Sequence, residues 1–477
     1  MASPSLLFLN RVYPPAAGAT GELLAELAPE LVKAGWQVTV VTGPAPGAPA
    51  SEIADGVRVE RVGGLPLTRT SHARRVLSYL TLYPRLLWRA LRLPRAEVIV
   101  TLTDPPLQCM LGPLLKACKG SRLVHWAQDL YPELAEEMEV LPRHGLRARL
   151  LRRLSTWALN RSDRNIVIGR CMKTRLEERG VAAGTMVVIP NWGHRTIADC
   201  GLRIADCGGL HPDEGARASN PERARRDVDE NSFRREHDLM GRFVVMYSGN
   251  LGLAHPFAAM LEAAERLQPV LPQVVFLFVG QGPRLPWVME QARQRQLANV
   301  RFLPLQPRAN LGQSLRAADV HLASMREDLC GLVVPSKVYG VLAAGRPCLF
   351  LGPPESEAAQ LILRAGCGAV LPSTDGAKVA QCLEHWATDP AAWQSLQARS
   401  QAVAQRVGLS SAVPAFLGLL ASVAGAVPAS GGQPAPLAAH RTDRIKRAAG
   451  RLPLGARLEM RRRFPTRMAK ASGPGSD

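Results

Sequence analysis

The sequence predicts an α/β protein made of two doubly wound, parallel-sheet domains facing a cleft. Two observations carry that prediction. Short β-branched runs alternate with helical patterns from Ser5 onward, and the same alternation starts afresh at Phe243 behind a polar interruption. Each series also opens on an apolar strand that runs into a turn rich in glycine and then into a helical pattern, the layout of a Rossmann-like βαβ unit. A chain of 477 residues, 47% of them hydrophobic, is long enough for two to three domains with ample core.

In the first series, Ser5–Asn10 reads as a strand and leads into the loop containing Gly18, Thr20 and Gly21. A helix is expected from about Glu22 to Lys33, ended by Gly35, and Gln37–Thr42 and Val57–Val62 follow as strands. His72–Arg95 mixes Arg85, Arg89 and Arg92 with leucines, tyrosines and Trp88, and reads as two basic amphipathic helices broken at Pro84. It is either a solvated helix face or a docking surface for anionic lipid, and Arg143–Arg161 is a second segment of the same kind. Glu97–Thr103 and Ser121–Ala127 are buried strands. Past the second come Gln128 and Asp129, where polar residues at a strand's carboxyl end point into the cleft of a doubly wound sheet. Asn165–Gly169 and Met186–Pro190 complete this half, so residues 1–194 form the first domain.

Residues 195–232 are polar and repeat the tetrapeptide ADCG at Ala198–Gly201 and Ala205–Gly208; they are expected to be a flexible insertion. The second domain is expected over 233–425. It opens on Phe243–Met246, with Ser248, Gly249, Asn250 and Gly252 as a turn and a helix from Phe257 to Leu267. A strand, a glycine turn and a helix N-terminus present unpaired amides and a favourable dipole to an anion. Gln273–Val279 follows, ending in Gly280 and Gly282, then strands at Asn299–Leu303, Val320–Leu322 and Arg346–Leu351, with a helix opened by Pro335, Ser336 and Lys337. The helical stretch Val379–Val407 is expected to return towards the first domain. Leu409–Val427 carries no charge but contains Pro414 and many small residues, which favours a packed helix over a membrane span.

Residues 426–477 hold eleven Lys and Arg against three acids and read as a disordered basic tail, +8 of the formal +19 of the chain. Such a balance implies an anionic partner. Aromatics are only 5% and no nucleic-acid signature is present, so a membrane surface or a nucleotide is expected and nucleic acid is not. Nine cysteines without a CxxC pair suit reduced thiols in the cytosol, and their spacing supplies no metal site. The N-terminus shows no signal peptide.

SGNLGLAHP at Ser248–Pro256, GQGP at Gly280–Pro283, NVRFLPL at Asn299–Leu305 and VVPSKVYGVLAAGRP at Val333–Pro347 resemble family 4 of the retaining glycosyltransferases, in particular its exopolysaccharide, O-antigen and colanic-acid type. The opening FLNRVYPPAAGATGELL and HWAQDLYPE at His125–Glu133 resemble the first domain of the same group. The resemblance implies the GT-B fold, a metal-independent transferase with no cofactor, a UDP- or GDP-linked sugar on the second domain, and a glycan acceptor, lipid-linked, on the first. It implies a cytoplasmic protein, peripheral on the inner face of the cell membrane.

Carried over by motif, Lys337 and the amides around Gly249 and Gly252 hold the diphosphate, with Ser248, Asn250 and Ser336 beside them. A departing diphosphate needs charge stabilisation, which a lysine and oriented amides can give. Gly280 and Gly282 shape the pocket near base or ribose, or are a plain turn. His255 is a donor-site residue or a helix cap. Gly18, Thr20 and Gly21 match the loop that approaches donor phosphates or acceptor. Asp129 binds substrate hydroxyls or caps the helix after Pro132. Lys337 itself could instead only snorkel to solvent. Family members carry two glutamates eight residues apart where this chain has Leu332 and Gly340, and Glu327 and Asp328 are the nearest acids. Two other readings stay open: a GT-B-fold sugar-nucleotide 2-epimerase, and a non-catalytic scaffold of a glycan-assembly complex.

Overall fold

A computed structural model describes residues 3–16, 18–64, 72–143, 145–194, 197, 231–404 and 406–425, all within one compact unit, Met1–Pro428. The ADCG repeats of the expected insertion and the expected tail 426–477 lie outside the described residues.

The first sheet takes eight strands: β1 (Ser5–Leu9), β2 (Gln37–Thr42), β3 (Ser51–Ala54), β4 (Val57–Arg61), β5 (Val98–Leu102), β6 (Arg122–Ala127), β7 (Arg164–Val167) and β8 (Met186–Val188). Their order is β3-β4-β2-β1-β5-β6-β7-β8, parallel throughout except for the β3–β4 pair. The second has β9 (Phe243–Asn250), β10 (Val274–Gln281), β11 (Val300–Leu303), β12 (Val320–Ser324), β13 (Cys348–Leu351) and β14 (Gly368–Leu371), in the order β11-β10-β9-β12-β13-β14 and all parallel. Both are doubly wound. Chain order reverses beside the first strand of each, at β1/β5 and at β9/β12, and crevices open there outside the carboxyl ends of the strands. Near-continuous apolar runs make these strands: every residue of β5 and Val274–Gly280 of β10 are buried, as a parallel sheet covered by helices on both faces requires.

Three local expectations are corrected. The segment around Pro84 is one helix, His72–Arg92, not two. Leu82, Leu86 and Ala90, four residues apart, are fully buried along one side, and that stripe holds the helix through the proline. The turn expected over Ser248–Gly252 forms only after Asn250, because β9 runs on through that residue, while the helix expected from Phe257 begins at Ala258. Gly249 and Asn250 pair in register with Gly280 and Gln281, so this glycine segment is the end of a strand and not a turn at a helix N-terminus. A Cβ at Gly280 would lie 1.9 Å from the Gly249 carbonyl oxygen, so glycine alone permits that pairing. Finally, the return to the first lobe is made by the helix Leu409–Ala424, which packs against the helix Ala19–Lys33 and β5. Phe416 sits edge-on to Trp126, 4.8 Å between centroids, and 6.1 Å from Trp192.

The two lobes are also joined by polar contacts. Gly193, in the first crossover, donates its N–H to the Val407 carbonyl in the second at 2.9 Å. Beside it His194 is held between Glu26 (2.6 Å) and Glu22 (3.2 Å), and Arg308 of the second lobe reaches Glu22 at 2.8 Å. The His194 N–H groups donate to both glutamates, which pushes the imidazole up to about 9, so it carries charge at neutral pH. Among the described residues no helix is long and apolar enough to cross a membrane.

Because Phe416 is fully buried against two tryptophans, Phe416→Ala should cost about 3–5 kcal/mol of unfolding free energy in a urea titration. An unchanged midpoint would mean that the returning helix is not part of the cooperative core.

Candidate active site

The second-lobe site is built where β9, β12 and the helix Lys337–Ala343 meet. Tyr247, fully buried on β9, donates its hydroxyl proton to the Asn250 carbonyl at 3.0 Å, which ties the ring to the strand end. Lys337 is the first residue of its helix and lays its ammonium over the Tyr247 ring, 3.9 Å from the centroid, while donating to the Tyr247 hydroxyl oxygen. His255 approaches from the loop between β9 and the next helix. Its Nδ1 lies 2.5 Å from the Ser324 carbonyl at the end of β12; a carbonyl only accepts, so Nδ1 carries the proton and Nε2 is the acceptor. Lys337 donates to that Nε2 at 3.4 Å.

Burial dominates the electrostatics. It lowers the Lys337 ammonium to about 7, and burial plus the nearby lysine lower His255 to about 3. His255 is therefore a neutral imidazole that holds the lysine, and it is neither a cation for phosphate nor a helix cap. Gly282 lies beside this group, where a Cβ would sit 2.6 Å from Asn250 Oδ1. Ser248 pairs in register with Val279, and Ser336 stands just ahead of the lysine, exposed and accepting the Tyr339 N–H on its carbonyl. Gly252 accepts the His255 N–H at 3.2 Å and so closes the loop that carries the imidazole.

On the first lobe Asp129 follows β6. Its carboxyl is pushed up to about 7, first by burial and then by Asp104, which follows the neighbouring strand β5. Asp104 is held in a two-pronged pair with Arg11, at 2.5 and 2.6 Å. The helix Glu133–Glu137 starts at Pro132 with no side-chain cap, so Asp129 is not its cap. Gln128 exchanges two hydrogen bonds with Asn191, 3.0 and 2.7 Å, and is structural. Leu130, next to Asp129, donates its N–H to the Leu332 carbonyl of the second lobe at 2.9 Å, which brings the Asp129 segment to the loop leading into Lys337.

Gly18 and Thr20 open the helix Ala19–Lys33, where the Thr20 hydroxyl and the Asn10 side chain hydrogen-bond. Gly21 packs so tightly that a Cβ would meet the Val12 carbonyl oxygen at 2.6 Å. The loop thus stands beside the interlobe pair of Glu22 with Arg308. Glu327 is exposed, with its carboxyl raised by burial and by Glu355 and Asp328, whereas Asp328 pairs with Arg326. Leu332 is buried and Gly340 is half-buried within the helix that follows Lys337.

Three residues of the site were not singled out from sequence. Tyr247 looked like one more apolar strand position. Arg284 and Arg326 line a cleft of about 370 Å³ together with His255 of the second lobe and Glu137–Glu139 of the first. Arg284 directly follows the Gly280–Pro283 turn, and that adjacency was the available signal.

Comparison with known proteins accords with this geometry. Residues 18–192 match a glycosyl transferase 4-like domain, and residues 242–389 match the glycosyl transferases group 1 domain. Both lobes thus match glycosyltransferase domains, consistent with the family 4 resemblance read from the motifs. It is 29% identical over 61% of its length to the probable glycosyltransferase WbjE of Pseudomonas aeruginosa, and 29% identical over 54% to the putative colanic acid biosynthesis glycosyl transferase WcaI of Escherichia coli K12. These matches span 66% and 58% of the two relatives. Among solved structures, Anabaena HepE in complex with UDP superposes with a TM-score of 0.61 at 16% identity, covering 88% of this chain and all of that one. The fold is GT-B.

The neutral half of the lysine population makes ligand binding proton-linked. Above pH 7 an arriving diphosphate converts the amine to ammonium, so binding takes up protons. At pH 8, calorimetric titration with UDP in Tris and in HEPES should differ in enthalpy by most of one proton for the native chain and by almost none for Lys337→Met. Equal enthalpies for the native chain would show that the lysine is already charged in the empty site.

Proposed function

We propose that this protein is a retaining, metal-independent glycosyltransferase that moves a sugar from a UDP- or GDP-linked donor to a lipid-linked glycan in cell-surface polysaccharide synthesis. The observation that carries the reading is the Lys337 ammonium, fixed by Tyr247 and His255 at the switch point of the second sheet and joined through Leu332 to the Asp129 segment of the first. Donor cleavage leaves a nucleoside diphosphate, whose growing charge needs a cation already in place. Lys337 supplies it with one N–H still unused among the described residues, and Arg284 and Arg326 extend the positive field along the cleft. Asp129, near neutrality in its titration, is suited to accept hydrogen bonds from sugar hydroxyls. The printed role of WcaI in colanic acid biosynthesis and the UDP complex of HepE support the substrate class. The domain matches lend nothing to the epimerase or scaffold readings.

Lys337→Ala should lower turnover at least a hundredfold, about 3 kcal/mol of transition-state stabilisation, in an assay of nucleotide release with lipid-linked acceptor. Asp129→Asn should also lose activity while its melting temperature stays put. Near-native turnover in the alanine variant would remove Lys337 from the chemistry.

The same reading places the first lobe against an anionic membrane at the inner face of the cell. The helices His72–Arg92, Leu111–Lys119 and Leu146–Arg161 lie side by side. They expose Leu77, Leu80, Trp88, Leu114, Leu150 and Trp157, with Arg85, Arg92, Arg147, Arg149 and Arg153 also exposed on the two outer helices. Leu87, expected from sequence to insert into lipid, is half-buried against the core. Apolar side chains ringed by arginines fit an interfacial contact, each basic residue adding about 1 kcal/mol at most. The chain should sediment with phosphatidylglycerol vesicles at low salt and be partly released by 0.5 M salt, and Leu80→Ser with Trp88→Ser should remove the salt-resistant fraction. Absence of binding at low salt would refute the membrane contact.

A further inference from the structure

Cys171 and Cys330 meet at the boundary between the lobes. Cys171 is the second residue of the first-lobe helix Arg170–Glu178, and Cys330 lies in the second-lobe loop that leads to Ser336 and Lys337. Both thiols are free and partly exposed. The two backbones are held together independently of sulfur. A Cβ at Gly331 would stand 2.8 Å from the Cys171 carbonyl oxygen, Arg175 Nε donates to the Cys330 carbonyl at 3.0 Å, and Glu357 of the second lobe accepts the Arg170 N–H at 2.8 Å. Within that frame the two thiols share a hydrogen bond.

The pair is chemically unequal. The Cys330 thiol and the backbone N–H groups of Glu357 and Met172 bring Cys171 down to about 7, against burial and the Glu357 carboxylate. Cys330 is pushed the other way by Cys171, by burial and by Glu355, with Arg175 opposing. Cys171 is thus the readier of the two to lose its proton and Cys330 the one that keeps it, the division of labour between an attacking and a resolving thiol.

We propose that Cys171 and Cys330 form a reversible disulfide that pins the second-lobe loop ahead of Lys337 to the first lobe. The oxidant is a low-molecular-weight disulfide such as oxidised glutathione. The Cys171 thiolate attacks one of its sulfurs, the S–S bond breaks, and one glutathione thiolate leaves. Cys330 then loses its proton to water and attacks Cys171 Sγ, displacing the second glutathione thiolate. The two cysteines lose two electrons and the glutathione disulfide gains them. Because Leu332 in the same loop also holds Leu130 beside Asp129, the crosslink fastens both sides of the candidate site and opposes the lobe opening through which a nucleotide enters and leaves.

The pinning rests on the cleft being a nucleotide site, but the crosslink does not, and the test reads them separately. The full chain is treated with oxidised glutathione, remaining thiols are alkylated, and peptides are mapped by mass. The expected product is one intramolecular link joining the peptides of Cys171 and Cys330, reversed by dithiothreitol. Cys330→Ser should trap glutathione on Cys171, and Cys171→Ser should take up none at Cys330. Release of a fluorescent UDP analogue should slow at least tenfold in the oxidised native chain and be unchanged in oxidised Cys330→Ser. Oxidation of other cysteines with these two left reduced would overturn the disulfide. A linked protein that binds the analogue and releases it at the reduced rate would overturn the pinning. A linked protein that binds no analogue would instead refute the nucleotide site and leave the disulfide standing.

Discussion

A lysine ammonium needs either water or a counter-charge, and Lys337 has little of one and none of the other within hydrogen-bond reach. What holds it is a set of neutral groups: the face and hydroxyl of Tyr247 and the lone pair of His255. Each of these is fixed in turn by a backbone carbonyl, at Asn250 and at Ser324. The arrangement costs stability. The folded pKa of about 7 lies below the ordinary lysine value of 10.5, so the unfolded chain binds more protons between those limits. The cost is complete below pH 7 and fades as pH rises towards 10.5. A site carrying such a penalty when empty gains most when an anion arrives, which is how binding energy is turned toward charge stabilisation.

Several contacts join the two lobes. The first crossover passes so close to the helix Lys337–Ala343 that a Cβ at Gly193 would meet Ala343 at 2.4 Å. The charged His194, with Glu22, Glu26 and Arg308, fastens the start of the first-lobe helix to the second lobe, and the helix Leu409–Ala424 packs back on Trp126 and Trp192. A strand-end loop on one lobe and a lysine on the other face each other because the chain crosses twice at one place. The Leu130 to Leu332 hydrogen bond links the two half-sites directly.

Much of the candidate site was legible in the residues. Lys337, His255, Asp129 and the glycines stand in motifs whose chemistry is local, and an apolar strand followed by small residues is a pattern of neighbouring positions. The role of His255 was not legible. Donor, cap or lysine holder depends on which carbonyl meets Nδ1, and Ser324 is 69 residues away in sequence. Arg326 carries no local mark in a chain with 59 basic residues, and Arg284 offers only its adjacency to the Gly280–Pro283 turn.

The sequence by itself determined the two alternating β/α series, their parallel sheets and the glycines at the strand ends, because periodicity and backbone freedom are properties of neighbouring residues. Tertiary structure decided the rest. It carried the helix through Pro84, since a continuous buried stripe outweighs one lost hydrogen bond. It extended β9 through Ser248–Asn250, since pairing with Gly280 and Gln281 is possible only once β10 lies alongside. It also sent Leu409–Ala424, rather than Val379–Val407, back to the first lobe, because only there do Trp126 and Trp192 offer Phe416 an aromatic partner surface, and no local pattern encodes the distance between 126 and 416.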